Sequence, residues 1–542
     1  RVLGLAGEVC RLALPLGRSV REAKEAVRDA SGIPVHEQRL LLGTGDLNDV
    51  AVLEDVLPDG TGAAVDITLV RRPGEQAQWI ARIGQHGSVL MGAPLAVRAD
   101  REVVLAAVSQ HGRALEYASE ELCADRAVVL AAVRQTGRAL QYADASLRAD
   151  KEVVLAAVAE SGAALEFASE GLRADREVVL EALKSDGDAL QFAAERLRAA
   201  PEVVSAAARR HWQALAHASE ALQELYLGGQ QAPALSPSIG CLVGLQALDL
   251  RENRLEALPE EIGQLTALRE LHLQDNCLLR LPESLGQLWS LLKLDCHKNQ
   301  LVALPRSLPQ LFALTWLDLG RNQLFDLPEN FGMLPALEWL DLQENLLAAL
   351  PESFCRLSRL QRLDLAGNRL QGLPRPLGQL PALRQLRAGR NRLPVLPESF
   401  GHFRALEELA LQGSGLAALP EGIAWLSGLA RLLLQENELR SLPETFGQLV
   451  RLKELDLRSN ELTWLPESFC DLIGLETLRL QGNDLTILPS GFHRLSALRS
   501  FDLSVHLLDG LWFVGLSKPA PGGACRERPA LEERSAGQGA AR

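Results

Sequence analysis

The sequence predicts an α/β solenoid over residues 222–504, horseshoe-shaped with a parallel sheet on its concave face. An α-solenoid of short helix pairs is expected ahead of it over residues 80–221, and a small sheet domain over residues 1–72. Three observations predict this order: a leucine pattern of period 23, an Asp and Gly pattern of period 25, and two alternating stretches followed by a capped helix. Repeats that cannot bury their apolar faces alone must stack, so we expect extended arrays.

The N-terminal stretch has the pattern of two strands followed by a helix. Residues 1–6 and 9–14 alternate between apolar and polar side chains, which predicts a hairpin. Ser19 with Glu22 three residues later forms a capping box, so a helix is expected to begin there. Gly32 is expected to end that helix because glycine readily adopts a left-handed conformation.

The helix is followed by Gly-Ile-Pro at 32–34 and by Gln-Arg-Leu-Leu-Leu at 38–42. In this order of elements and motifs the segment resembles ubiquitin. The resemblance implies a β-grasp fold with an apolar docking patch on the sheet, which would include Leu41 beside Arg39 and would bind ubiquitin-pathway receptors. The alternative for Leu41 is a plain core residue. The chain continues past residue 72 without a diglycine end, so the resemblance implies a built-in docking domain and not a transferred modifier.

Residues 80–221 repeat every 25 residues, with an aspartate, an apolar triplet, a glycine, a leucine and an aromatic residue. The aspartates are helix N-caps and the glycines are expected just after helix ends, which predicts two short helices per repeat. Pro201 suits a first helical turn. The acidic residues are most simply explained as helix caps or as residues on solvated helix faces, and the recurring aromatic residues are expected in the core. The unit resembles a helical repeat of unknown function found in tandem in some single-celled eukaryotes. The recurring residues are Asp100, Asp125, Asp150 and Asp175, then Gly112, Gly137, Gly162 and Gly187, and then Tyr117, Tyr142, Phe167 and Phe192.

The two repeat patterns meet without a linker. Leu222 ends the 25-residue pattern and also begins the first leucine motif. We therefore expect the last helices to cover the open apolar end of the leucine array, so that the two arrays form one rigid body.

Residues 222–504 repeat LxxLxL, an asparagine and a Leu-Pro pair every 23 residues, the pattern of leucine-rich repeats. In LxL both leucines point the same way from a short strand and are buried, while the residue between them faces solvent. The asparagine side chain can bond the backbone of a turn, and the proline ends the strand. Ser414 replaces the asparagine once, so that rung is expected to be the loosest. Counting from Leu222 to Leu498 predicts thirteen rungs.

The consensus LPESFGQLxxLxxLDLxxNxLxxLP resembles intracellular leucine-rich repeat proteins of the Ras-scaffold kind, including the plant Ras-group set. The resemblance implies a cytoplasmic scaffold whose concave face binds a protein partner, either a small GTPase or a phosphatase subunit. The columns of side chains on that face decide the partner, because the leucines are buried in every such array.

The candidate binding residues stand between and beside the strand leucines. Tryptophan and arginine dominate interface energetics, so two tryptophans expected to be exposed on adjacent rungs predict the landing site. A column of aspartates accompanies them. The alternative explanation for the aspartates is that Asp is common at this position of such repeats, and the alternative for the tryptophans is that they only pack on the surface. The residues are Trp316, Trp339, Asp318, Asp341, Asp364, Arg321, Arg362 and Arg387.

Composition limits the function classes. A net charge of −13 disfavours nucleic-acid binding. Eight scattered cysteines without CxxC, such as Cys296 and Cys355, predict buried filler in a reducing, cytoplasmic setting, and no signal peptide or membrane span is found. The first residue is Arg1, which leaves room for an upstream segment. His272 and His297 lack the spacing of metal ligands.

Without a P-loop, a nucleophile motif or ligand spacing, we predict a non-enzymatic protein with no cofactor and no metal. A binding scaffold is therefore favoured over an adaptor in ubiquitin traffic, and both are favoured over an enzyme. After Val505 the pattern fails, so residues 505–516 are expected to cap the last rung and residues 517–542 to form a disordered tail.

Overall fold

A computed structural model describes residues 2–4, 7–15, 17–43, 45–47, 51–56, 65–83 and 87–502. The chain divides into two compact units, residues 1–323 and residues 324–542. The predicted cap at residues 505–516 and the predicted tail at residues 517–542 lie outside the described residues.

The N-terminal segment is a mixed sheet with a helix against its buried face. Strand β1 pairs in parallel with β5, and the other neighbours in the order β2-β1-β5-β3-β4 are antiparallel. The predicted capping box is confirmed, because Ser19 and Glu22 exchange hydrogen bonds, and Gly32 ends the helix at a φ of 74°. The elements are β1 (Val2–Gly4), β2 (Gly7–Cys10), α1 (Val20–Ser31), β3 (Gln38–Leu42), β4 (Gly45–Asp46), α2 (Leu53–Val56) and β5 (Ile67–Arg71), with a 3-10 turn at Val35–Glu37.

The helical segment follows in the same unit. Its α-helices are α3 (Gly74–Ile83), α4 (Leu95–Arg98), α5 (Arg101–Gln110), α6 (Glu120–Cys123), α7 (Arg126–Gln135), α8 (Lys151–Glu160), α9 (Glu170–Arg173), α10 (Arg176–Ser185), α11 (Glu195–Arg198) and α12 (Pro201–Arg210). Its 3-10 helices are Gly87–Gly92, Gly112–Tyr117, Gly137–Tyr142, Leu147–Ala149, Gly162–Phe167, Gly187–Phe192 and Trp212–His217.

Each repeat is built from one ten-residue α-helix, one 3-10 helix and one further turn, so the prediction of two short helices is too simple. The aspartate caps are confirmed: Asp125 accepts hydrogen bonds from the backbone of Ala127 at 2.9 Å and of Val128 at 3.1 Å. The glycines stand just after the helix ends, as predicted: α7 ends at Gln135, Thr136 is its C-cap residue and Gly137 follows. Gly137 does not adopt the left-handed conformation of a helix-ending glycine, however, but begins a 3-10 helix, and a Cβ on it would collide with the carbonyl oxygen of Ala157 in the next repeat. Close packing between repeats, and not helix termination, requires glycine there.

The leucine-rich segment forms thirteen parallel strands in sequence order, as predicted. In the first unit they are β6 (Glu224–Tyr226), β7 (Ala247–Asp249), β8 (Glu270–His272), β9 (Lys293–Asp295) and β10 (Trp316–Asp318). In the second unit they are β11 (Trp339–Asp341), β12 (Arg362–Asp364), β13 (Gln385–Arg387), β14 (Glu408–Ala410), β15 (Arg431–Leu433), β16 (Glu454–Asp456), β17 (Thr477–Arg479) and β18 (Ser500–Asp502).

A 3-10 helix follows most strands and carries apolar residues back into the core. A proline stands just before many of these helices, where its missing amide hydrogen leaves no bond unmade. The helices are Pro237–Cys241, Glu260–Gln264, Glu283–Gln287 and Leu308–Gln310 in the first unit, and Phe331–Met333, Glu352–Arg356, Arg375–Gln379, Glu398–His402, Glu421–Trp425, Phe446–Gln448, Glu467–Asp471 and Phe492–Arg494 in the second.

The recurring asparagine binds the backbone of neighbouring coils, as the sequence predicts. Asn368 is buried, and its Nδ2 donates to the carbonyl oxygens of Leu342 at 2.8 Å and Leu365 at 3.0 Å. Its Oδ1 accepts from the amide of Leu347 at 3.1 Å. The side chain therefore satisfies three backbone groups that are buried with it.

Ser414 replaces only part of this arrangement. Its Oγ donates to the carbonyl oxygen of Ala388 at 3.2 Å, whereas the amide of Leu393 turns to the carbonyl oxygen of Ser414 at 2.8 Å. Gly413 and Gly415 flank the serine at φ values of 62° and 69°, which ordinary side chains adopt reluctantly. The backbone thus supplies what the shorter side chain lacks, and the looser rung stays a prediction.

The predicted contact between the two arrays is confirmed within the first unit. Helix α12 packs beside β6, and the buried Ser205 donates a hydrogen bond from its Oγ to the carbonyl oxygen of Tyr226 at 2.9 Å. Val204 and Leu225 are fully buried at this junction. The last helix therefore closes the apolar end of the leucine core.

Candidate protein-interaction site

The strand face consists of the outward side chains of the first and third residues of each three-residue strand. The central residue of β6 to β17 is a buried leucine, for example Leu317 and Leu340, whereas that of β18 is Phe501, which is 36% exposed. Neighbouring strands pair in register, with Trp316 opposite Lys293 and Asp318 opposite Asp295. Outward side chains of consecutive strands therefore stand in straight columns.

Trp316 lies on the strand face of the first unit, but it is half-buried and not exposed as the sequence analysis assumes. The reason is a cationic neighbour: the Nζ atom of Lys293 sits 4.6 Å from the centre of the indole ring. This cation–π contact shields one face of the ring.

Asp318 stands beside Trp316 in a group with a second carboxylate and a histidine. Its side chain is 14% exposed, and its carboxylate accepts from the amide of Gly320 at 2.9 Å and lies 3.4 Å from Nδ1 of His297. Burial and the neighbouring Asp295 raise the pKa of Asp318, against the lowering effects of the Gly320 amide and of His297. Arg321 follows in the turn after β10 at a left-handed φ of 54°.

In the second unit the strand face begins with Trp339, which is also half-buried and lies opposite the exposed Arg362 in register. Asp341 is 6% exposed, and its carboxylate accepts from the backbone amide of Gln343 at 2.7 Å and from its Nε2 at 2.9 Å. The aspartate therefore closes a turn at the end of the strand.

Asp364 repeats this arrangement one strand further on. Its carboxylate accepts from the amide of Ala366 at 2.9 Å, and Arg387 approaches it to 3.9 Å. Burial raises the pKa of Asp364, although the Ala366 amide and Arg387 act in the opposite direction. The aspartates thus have a structural role in the turns. This role favours the explanation that aspartate is simply part of the repeat consensus at this position. Their carboxylate oxygens still lie at the margin of the strand face.

A charge network on β13 to β17 escaped the sequence analysis. Glu408 is buried and accepts from Arg387 at 3.0 Å and from Arg431 at 3.3 Å. Glu454 pairs in turn with Arg431 at 2.9 Å and with Arg479 at 3.0 Å. The alternation of sign at period 23 was visible in the sequence and could have predicted this network.

Leu41 and Arg39 stand on the outward face of the N-terminal sheet, opposite in direction to the buried Leu40. Leu41 is half-buried and is not part of the core around Leu40. Arg39 pairs with Glu102 of α5 at 3.1 Å, and Arg72 pairs with the same carboxylate at 2.5 Å. The predicted docking patch therefore touches the chain's own helical repeats along one side.

The cysteine prediction holds for one residue and fails for another. Cys296 is fully buried, and burial raises the pKa of its thiol. Cys355 is only half-buried, because it lies on the more open side of a 3-10 helix; burial raises its pKa to about 11. Within the described residues no three His, Cys, Asp or Glu side chains are grouped as metal ligands, and none of the helices there has the length and apolar character of a bilayer span.

Two family models match the chain. A domain of unknown function, DUF4116, matches residues 100–148, 150–198 and 175–223, and the leucine rich repeat model matches residues 312–370, 335–393, 404–462 and 427–485. The latter stretches are leucine-rich repeats. The former are tandem helical repeats, as the 25-residue period predicts.

Solved structures with leucine-rich repeats are similar to part of the chain. A leucine-rich repeat protein of Leptospira interrogans is 28% identical, with 56% of this chain and 92% of that chain covered and a TM-score of 0.39. The ectodomain of the receptor kinase GASSHO1/SCHENGEN3 from Arabidopsis thaliana, solved with CASPARIAN STRIP INTEGRITY FACTOR 2, is 28% identical over 54% of this chain and 42% of that chain, with a TM-score of 0.41. An internalin of Listeria monocytogenes is 21% identical, with 58% of this chain and 89% of that chain covered and a TM-score of 0.47. A search of curated protein sequences found no match.

Proposed function

We propose that this chain is a non-enzymatic, cytoplasmic protein-binding scaffold in intracellular signalling, and that it holds its partner on the strand face of the leucine-rich repeats. The observation that carries the proposal is the register of the strands, which sets outward side chains in columns over many rungs. Columns of side chains repeated over many rungs suit a protein partner and not a small substrate. A small GTPase is the first candidate partner and a phosphatase subunit the second, from the resemblance to Ras-scaffold proteins.

The proposed contact residues lie in both units. They are Trp316, Asp318 and Arg321 in the first unit, and Trp339, Asp341, Asp364, Arg362 and Arg387 in the second. A partner that displaces the Lys293 ammonium from Trp316 would bury an indole ring, and buried tryptophans often dominate binding energy. We also propose that the chain is divided as the sequence predicts, into an N-terminal domain at residues 1–72, helical repeats at residues 80–221 and leucine-rich repeats at residues 222–504.

The double variant Trp316→Ala/Trp339→Ala tests this site. We expect the partner recovered by pull-down with the wild-type chain to be lost, because each hot-spot tryptophan contributes about 2 kcal/mol or more. The melting temperature should stay close to that of the wild type, since neither ring is part of the leucine core.

A matched control is the double variant Trp289→Ala/Trp425→Ala. These tryptophans are 63% and 59% exposed but stand outside the strands. Partner recovery should be unchanged in this control. Retained binding by the Trp316→Ala/Trp339→Ala chain would move the interaction site elsewhere.

The N-terminal sheet supports a second candidate function, an adaptor in ubiquitin or proteasome traffic. The strand order β2-β1-β5-β3-β4 around α1 supports a ubiquitin-like β-grasp domain, and Leu41 faces outward on β3. Under this alternative the full chain binds a proteasomal ubiquitin receptor, and Leu41→Arg abolishes that binding because a charge replaces an apolar contact. Val9→Arg, on β2 away from β3, is the control. Equal binding by the wild type and Leu41→Arg chains would exclude this use of the patch.

A further inference from the structure

Two consecutive rungs of the second unit carry an unusual concentration of positive charge. Residues 353–397 contain nine arginines, one aspartate and no lysine or glutamate, so this stretch has a charge of +8 in a chain whose net charge is −13. The remainder of the chain therefore carries −21. We call these residues the arginine belt: Arg356, Arg359, Arg362, Arg369, Arg375, Arg384, Arg387, Arg390 and Arg392.

All nine side chains of the arginine belt are exposed, and few are neutralised. Arg384 pairs with Glu407 at 2.8 Å, and Arg387 pairs with Glu408 at 3.0 Å. Arg356 lies 3.9 Å from the sulfur of Met333. Within residues 324–502, where the second unit is described, the other six have no acidic partner: Arg359, Arg362, Arg369, Arg375, Arg390 and Arg392.

The following rungs show that pairing is the rule elsewhere on this face. Arg431 lies between Glu408 and Glu454, and Arg458 pairs with the buried Asp456 at 2.7 Å. Like charges that no carboxylate neutralises repel one another, and six arginines of the belt are of this kind. This arrangement gains stability as soon as a partner supplies anions.

The belt crosses the strand face along the direction of the strands. Arg362 begins β12 opposite Gln385, Arg387 ends β13 opposite Asp364, and Arg390 stands in the turn beyond. From the start of β13 to that turn is five residues, which span at most roughly 16 Å at about 3.3 Å per residue, and less where the chain turns at Arg390. Ala366 and Gly389 are small residues beside this path, and Asp364, 3.9 Å from Arg387, is the one acidic residue of the belt's stretch and lies on it. The geometry suits an extended segment of about five residues more than a single compact anion.

The charge of the rest of the chain selects among anionic partners. The planar guanidinium itself matches carboxylates and phosphates alike in bidentate fashion. A nucleic acid or an anionic membrane would also meet the field of the remaining −21 charges, which repels large polyanions, whereas a short peptide contacts the belt alone. We propose that the arginine belt binds an acidic segment, rich in Asp and Glu, of a protein partner. The proposal rests on the proposed function, because it shares Arg362 and Arg387 with the binding site given above.

The test measures binding of a fluorescent hepta-glutamate peptide to the full chain by anisotropy. We expect binding that weakens at least about tenfold in Arg362→Glu/Arg390→Glu/Arg392→Glu, because three charge contacts are reversed. Binding should also weaken strongly from about 0.1 M to about 1 M salt, as the Debye length falls to about 3 Å. A hepta-glutamine peptide should not bind.

The matched control reverses three arginines of the same unit outside the belt, Arg440→Glu/Arg451→Glu/Arg494→Glu, and changes the net charge equally. It should bind hepta-glutamate within about twofold of the wild type, since long-range charge alone has a modest effect in salt. An equal loss in the control, or no binding by the wild type, would overturn the proposal. A circular dichroism spectrum like that of the wild type shows that each variant is folded.

Three further arms separate the alternatives. A phosphoserine peptide or an oligonucleotide that binds the belt when hepta-glutamate does not would contradict the assignment to carboxylates. The Trp316→Ala/Trp339→Ala chain should still bind hepta-glutamate. If that chain loses its pull-down partner while no wild-type binding of hepta-glutamate is seen, only the belt proposal fails; if hepta-glutamate binds the belt but the tryptophans prove irrelevant, only the tryptophan site fails.

Discussion

Replacing Phe469 with alanine is expected to destabilise the second unit by about 4 kcal/mol. The side chain is fully buried inside the leucine-rich repeats. Its ring stacks between Phe446, at 6.1 Å between centroids, and Phe492, at 6.5 Å, with interplanar angles of 3° and 4°. Deleting the ring leaves a cavity and also removes two aromatic contacts of about 0.5–1.5 kcal/mol each.

The measurement is urea denaturation combined with hydrogen exchange, which assigns the loss to the amides around the stack. Phe469→Leu should recover much of the stability, since it refills part of the volume. Ile473→Ala is the matched control: this residue is 57% exposed and lies only four residues away, so its loss should stay within about 0.5 kcal/mol. A change below about 1 kcal/mol in Phe469→Ala would mean that neighbouring rungs collapse to fill the space.

The repeating part of the fold was predictable because every rung obeys the same local rule. The leucine spacing fixes the buried central residue of β6 to β17, and it gives the strand count correctly, although all three residues of β18 are exposed. The same reasoning places Gly137 just after a helix end but does not give the reason for a glycine there, which is Ala157 in the next repeat. Spacing within one repeat does not show how closely its neighbour approaches.

The candidate site was less predictable, because exposure depends on neighbours across the sheet. Trp316 stands where the sequence analysis places it, but Lys293, 23 residues earlier, covers part of its ring. The aspartate column proved to close turns, as at Asp341 with Gln343. The identities on the strand face were readable from the sequence, whereas their contacts were not.

The arginine belt shows the opposite case, a feature visible in the sequence that pattern reading passed over. Among the nine arginines of these two neighbouring rungs only Arg369 and Arg392 stand 23 residues apart, so the others do not recur with the period of the repeat. Which of them lack a carboxylate depends on the fold. Arg431 is paired on both sides, whereas Arg362 and Arg390 have no acidic partner in the described second unit.

Asn368→Ala is expected to cost about 3 kcal/mol or more of stability, although it removes only a few atoms. Two carbonyl oxygens, of Leu342 and Leu365, lose the donor Nδ2, and the amide of Leu347 loses its acceptor. These groups are buried, so water cannot replace the lost bonds without opening the coil. Each buried polar group left unpaired costs about 1–3 kcal/mol.

Urea denaturation gives the total loss, and hydrogen exchange at the Leu347 amide reports the lost bond directly. That amide should exchange faster in Asn368→Ala, whereas Gln371→Ala, which removes an exposed amide side chain on the same rung, should leave both measurements nearly unchanged. Serine in Asn368→Ser should stabilise its coil less than Ser414 stabilises its own. Ser414 is followed by Gly415, which adopts a left-handed conformation, whereas residue 368 is followed by Arg369. If alanine at 368 proved harmless, the asparagine ladder would be dispensable, and the backbone rearrangement at Ser414 would need another explanation.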